Sequence, residues 1–149
     1  AEQPMNKFLA IIISFSLYSF TGNTDFATAL KNAKEKHQLI LINFSGSDWC
    51  GPCIRMRKEI FDDDSFSKMG DTSLQFVNAD FPRNKKNQLD KAIVKQNEIL
   101  ADKYNPNGLF PLTILINVEG LVIKSWDGLP KETAAQFTKE VKAICDGNR

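Results

Sequence analysis

The sequence predicts an α/β domain built on a mixed sheet, with parallel strands, a C-terminal antiparallel hairpin and helices on both faces. Three observations carry this. Helical and extended periodicities alternate in the order helix, strand, helix, strand, helix, strand, strand, helix. Residues 39–44, LILINF, are almost wholly apolar, as in a central strand covered on both sides. Two strand candidates, 112–117 and 121–126, are separated only by Val118, Glu119 and Gly120, a link that suits a hairpin and no crossover.

Taken in order, Asn23 or Thr24 can cap a first helix whose inner face is Phe26, Ala29, Leu30 and Ala33, with Lys31, Lys34 and Glu35 outside. The strand 39–44 follows, then the loop Ser45, Gly46, Ser47, Asp48. Residues 50–61 read as a helix with Cys53, Met56 and Ile60 on one face, ended by Asp62, Asp63 and Asp64. Residues 74–79 read as a strand and 81–87 as a polar loop. Leu89, Ile93, Leu100 and Tyr104 mark a longer helix that stops at Asn105-Pro106-Asn107-Gly108. After the hairpin, Pro130 opens a last helix with Phe137, Val141 and Ile144 inward and Gly147 past its end.

Composition narrows the function. The chain has 149 residues, 42% of them hydrophobic and 25% charged, which excludes a disordered or disulfide-framework protein. Nineteen Lys and Arg balance 18 Asp and Glu, so no electrostatic footprint for nucleic acid is present. The cluster Arg83, Lys85, Lys86 lacks interleaved stacking aromatics and reads as a solvated loop. Residues 8–20 are uncharged and mostly apolar, preceded by Met5 and Lys7, and resemble a secretory signal. They are fewer than the roughly 20 apolar residues that span a bilayer. Ala1 to Pro4 read as residues added ahead of a native start, so 1–19 are set apart and 20–149 form the domain. An exported protein of the bacterial periplasm or cell envelope is expected, with the cytoplasm as the alternative.

The chemistry lies at Trp49-Cys50-Gly51-Pro52-Cys53. The motif follows a buried strand and opens a helix, where free N–H groups and the helix dipole favour a thiolate. Cys50 is therefore the attacking sulfur and Cys53, one turn on, the resolving sulfur. Gly51 permits the tight loop, and Pro52 suits a first turn that needs no N–H. A zinc site would need two more ligands from His37 and Cys145. His37 reads as an exposed loop residue and Cys145 as a small buried hydrophobe, so no metal and no cofactor beyond the Cys50–Cys53 disulfide are expected.

These residues resemble the active site of the thioredoxin superfamily, and the resemblance runs from about Phe20 to Cys145. Phe110-Pro111-Leu112-Thr113 is similar to the cis-proline element, and Trp126-Asp127-Gly128 to the last turn before the closing helix. Residues 44–50 and 79–83 are closer to exported bacterial thioredoxin-like proteins. The resemblance implies a cis Pro111 against the sulfurs, a Phe110 backbone that pairs with extended substrate, and a Trp49 that flanks the nucleophile and shapes the contact surface. It also implies a buried aspartate in the preceding strand as proton acceptor for the second cysteine. Here the matching residue is Asn43, which leaves water, Asp48 or Glu59 for that work.

Gly-Pro between the cysteines, without histidine, points to a reductant of protein disulfides, since a neighbouring imidazolium would favour the reduced form. A reductant in an oxidising compartment needs electrons from a membrane or soluble donor. A disulfide isomerase or oxidase, and a non-enzymatic module that binds clients or copper, are the alternatives. A monomer is expected.

Overall fold

The computed structural model describes residues 25–148. The signal-like stretch, the residues before it and the caps expected at Asn23 or Thr24 lie outside the described residues. Helix α1 (Phe26–Lys36) is capped instead by Asp25, whose carboxylate accepts from the Ala27 N–H. It ends at His37, an exposed residue in the left-handed region at φ 53°. Strand β1 (Leu39–Ser45) is buried along its whole length.

Four strands form one sheet in the order β2-β1-β3-β4, with β2 (Leu74–Asp80), β3 (Leu112–Ile116) and β4 (Val122–Asp127). The β1–β2 pair is parallel, while β3 runs antiparallel to both β1 and β4. Alternation along each strand sorts side chains between two layers. Ile40, Ile42, Phe44, Val77, Ala79, Ile114 and Ile116 face α1 and α4 (Lys91–Tyr104). Leu39, Leu41, Leu74, Phe76 and Leu115 face the other layer, built from α2 (Gly51–Met56), α3 (Asp64–Ser73) and α5 (Ala134–Gly147). There Phe61, Phe66 and Phe76 pack with ring centroids 4.9–6.0 Å apart, and Phe137 stacks on Phe66 at 6.3 Å. Aromatic pairs of this kind add roughly 0.5–1.5 kcal/mol each beyond their buried area.

Three elements differ from the sequence expectation. The helix predicted over 50–61 is two pieces, α2 and a π-helical turn Arg57–Phe61 that brings Phe61 into the core beside Ile60. Helix α3, unassigned in the sequence, starts on Asp63, whose carboxylate accepts from the Ser65 N–H. The aspartates that end the first helix thus begin the next. The last helix opens at Thr133, not Pro130, because Thr133 and Gln136 form a reciprocal capping box. Gly147 is its final residue, and Cys145 is buried on its core face as expected.

Candidate active site

Strand alternation decides what lies beneath the cysteines. Asn43 has the parity of Leu39 and Leu41, so it points to the layer of α2, as do Asn78 on β2 and Thr113 on β3. The three are in register across the sheet. The Thr113 hydroxyl donates to Asn43 Oδ1 at 3.0 Å, and Asn43 Nδ2 donates to Asn78 Oδ1 at 3.3 Å. Asn43 and Thr113 are buried, and their polar atoms satisfy one another with no charge in the row.

Cys50 is the N-cap of α2, and its Sγ accepts the Cys53 N–H at 3.3 Å. Pro52 sits in the first turn. Cys50 and Cys53 are joined by a disulfide, with Cα atoms 5.2 Å apart. Cys53 is 1% exposed and Cys50 is 6%. Cys145 takes no part in the pairing.

Three loops meet beside Cys50. The Phe110–Pro111 bond is cis, and the Pro111 carbonyl accepts the N–H of Gly128 at 2.9 Å, which ties this loop to the end of β4. Phe110 packs edge-on against Trp49 at 5.3 Å and Phe81 at 5.6 Å. Trp49 Nε1 donates to the Phe81 carbonyl at 2.7 Å. A Cβ on Gly46 would lie 2.3 Å from the Trp49 ring, so glycine is what lets the indole lie across this loop.

Two carboxylates lock the loops together. Asp80 accepts from the N–H and hydroxyl of Ser47. Asp48 accepts from the backbone N–H groups of Arg83 at 2.9 Å and Asn84 at 2.8 Å and from the Asn87 amide at 3.0 Å. The Arg83 and Asn87 hydrogen bonds hold the Asp48 carboxyl below the usual carboxylate range. Arg83 also lays its guanidinium carbon 3.8 Å from the Trp49 ring centroid. The sequence marked Trp49 and Phe110. It missed Asp80, Phe81, Asn78 and the loop-holding role of Asp48, each joined to its partners only by tertiary structure, and it missed Gly46, whose partner Trp49 is three residues on but whose need for glycine shows only in the placement of the indole.

On the other side of Cys53 an open cavity of about 380 Å³ has Asn43 and Asn78 on its sheet wall and Arg57, Lys58 and Asp62 on its helix wall, with Cys53 between them. Asp48 and Glu59 do not line it. Glu59 is paired with Arg55, whose hydrogen bond holds its carboxyl below the usual range, so it is a weakened base. Neither of the two carboxylates suggested by the sequence is therefore placed to take the Cys53 proton.

A mixed sheet, a Cys-Gly-Pro-Cys at the start of a helix and a cis-proline loop beside it define a dithiol–disulfide exchange domain. The chain matches the family described as "Thioredoxin-like domain" over residues 26–144 and belongs to it. It is 32% identical over 119 residues to "Disulfide bond reductase DsbH" of Chlamydia pneumoniae, covering 80% of this chain and 70% of that protein. Identity to "Thioredoxin-related protein DsbJ" of the same organism is 34% over 119 residues, with 80% of this chain covered but only 33% of that longer protein. Among solved structures, "DsbH Oxidoreductase" superposes with a TM-score of 0.74 at 30% identity, covering 82% of each chain. The protein is a thiol-disulfide oxidoreductase of thioredoxin-like fold.

Proposed function

We propose that the chain works as a reductant of protein disulfides, with Cys50 attacking and Cys53 resolving. The observation that carries this is the asymmetry of the pair: Cys50 caps the helix, while Cys53 is the more deeply buried sulfur. In the reduced protein the Cys50 thiolate attacks a substrate disulfide. The substrate S–S bond breaks, a Cys50–substrate bond forms, and one substrate sulfur leaves and takes a proton. Cys53 then loses its proton and attacks Cys50 Sγ. The second substrate sulfur leaves as thiol, the Cys50–Cys53 bond forms, and two electrons have passed to the substrate. A dithiol donor, soluble or at a membrane, restores the reduced pair.

Trp49 and the Phe110 backbone receive an extended substrate segment beside Cys50, and Pro111 and Gly51-Pro52 shape the approach. Water in the Cys53 cavity accepts the resolving proton in place of a buried carboxylate. Support for the direction comes from Gly51-Pro52 between the cysteines and from the reductase name of the Chlamydia pneumoniae relative. The apolar run at residues 8–20 supports export to the periplasm or cell envelope. Among the described residues no helix is long and apolar enough to cross a membrane. The working unit is a monomer.

Insulin reduction with a dithiol donor and a reduction potential measured against glutathione test the reading. A potential near that of thioredoxin, about −270 mV, is expected, and a value near about −120 mV would make the protein an oxidant instead.

A further inference from the structure

The basic residues Arg83, Lys85 and Lys86 read in the sequence as a solvated run, yet the structure fixes their loop beside the nucleophile. Asp48 grips the backbone at Arg83 and Asn84 and the side chain of Asn87. Lys85 and Lys86 lie in the short 3-10 turn Lys85–Asn87, which Asn84 caps through the Lys86 N–H. Arg83 is held at both ends, by its N–H on Asp48 and by its guanidinium over Trp49, the residue next to Cys50.

The nearby carboxylates are taken up by other donors and leave the Arg83 guanidinium without an ion-pair partner among the described residues. Asp48 and Asp80 engage their oxygens with backbone and side-chain donors of the loops. Among the described residues no carboxylate forms an ion pair with Arg83, Lys85 or Lys86. A guanidinium stacked on an indole keeps its fork of N–H donors, which matches a carboxylate. Its position is set before any partner arrives, so less rotamer freedom is lost on binding.

We infer that Arg83 is a specificity-determining residue: it receives an Asp or Glu side chain that flanks the disulfide cysteine of an extended protein substrate, with Lys85 and Lys86 adding a favourable field. The inference rests on the reading of Cys50 as the group that attacks protein disulfides. It goes further, in that it states which disulfides are preferred.

The test uses two peptides, each closed by one disulfide and differing only in Glu or Gln beside one cysteine. The reading is the ratio of their kcat/KM values, Glu over Gln. At low salt the wild-type ratio is expected at about fivefold, the size of one exposed charge pair. It should collapse toward one in Arg83→Gln, persist in Arg83→Lys, and shrink in about 0.5 M salt, where charges are screened. A wild-type ratio of one overturns the inference while leaving reduction intact. An equal fall for both peptides in Arg83→Gln, with the ratio kept, overturns it too, because Arg83 would then act through Trp49 or Cys50. Failure to reduce either peptide overturns it together with the reductase reading.

Discussion

Cys50 and Cys53 are one helical turn apart, yet their surroundings differ in kind. Around Cys50 the groups come from loops and are aromatic or charged: Trp49, Phe81, Phe110, Arg83 and the Asp48 that anchors the Arg83 loop. Beneath Cys53 the sheet supplies neutral groups, Asn43, Asn78 and Thr113, linked by hydrogen bonds, and charge enters only at the helix wall of the cavity, where Arg57 pairs with Asp62. The difference separates two tasks. The attacking sulfur is set where a partner can be met, and the resolving sulfur sits over a row with nothing to titrate.

The hardest blow to this comparison comes from exchanging the two sulfurs one at a time. Cys50→Ser should abolish reduction, with a loss on the order of 10³-fold or more, as when a nucleophile is removed from a working unit. Cys53→Ser should also stop turnover but keep the first attack, so the protein accumulates joined to its substrate, one mixed disulfide per molecule by mass spectrometry. If the trapped complex forms with Cys50→Ser and not with Cys53→Ser, the two sides have been assigned the wrong way round.

On the Cys50 side, Gly46→Ala places a methyl group where the Trp49 ring now lies. The indole must leave the Phe81 carbonyl and the underside of Arg83. The expected cost is about 1–3 kcal/mol, typical of overpacking, with a change in tryptophan fluorescence. A variant with wild-type stability and an unmoved indole signal would show that the loop yields freely.

Asn43→Asp tests the neutral side. A carboxyl buried as deeply as Asn43, which is 4% exposed, has its pKa raised by desolvation. A folded-state value above the unfolded one leaves stability intact below about pH 3.9 and removes it as pH climbs through the folded value. Above that range, every tenfold weakening of the acid costs about 1.4 kcal/mol. The variant should thus match wild type in acid, lose melting temperature toward neutral pH, and gain a step in its pH–rate profile. Identical profiles would mean that this row does not communicate with Cys53.

How much of this was legible in sequence follows the same division. Residues 39–44, the Cys50–Cys53 motif and the hairpin were readable because their signals are local, a run of apolar residues, a spacing of three and a short link. Even the parity that puts Asn43 under the motif is contained in LILINF. Helix α3 escaped because its buried face is Phe66, Met69, Gly70 and Ser73, in which two small residues carry half of the apolar period. The loop anchors escaped because Asp48 bonds to residues 35 to 39 positions away. A surface aspartate in a polar loop carries no mark of such a partner.

The smallest effect expected is also the most direct reading of that anchor. The Asp48 carboxyl is held below its ordinary value of 3.8, first by the Arg83 N–H and then by the Asn87 amide. A depressed folded value contributes stability that is present above the unfolded pKa and lost as pH falls through the folded one. Asp48→Asn keeps the size of the side chain and removes the charge. It should therefore melt slightly below wild type at pH 7, and the gap should close as pH falls below 3.8, where the wild-type carboxyl also becomes neutral. The Glu over Gln preference should decline in the same variant, since the loop that carries Arg83 loses its anchor. A melting gap that stays constant from about pH 7 to about pH 3 would mean that the Asp48 charge does not hold the loop, and the contrast between the two sides of the disulfide would then rest on the aromatic residues alone.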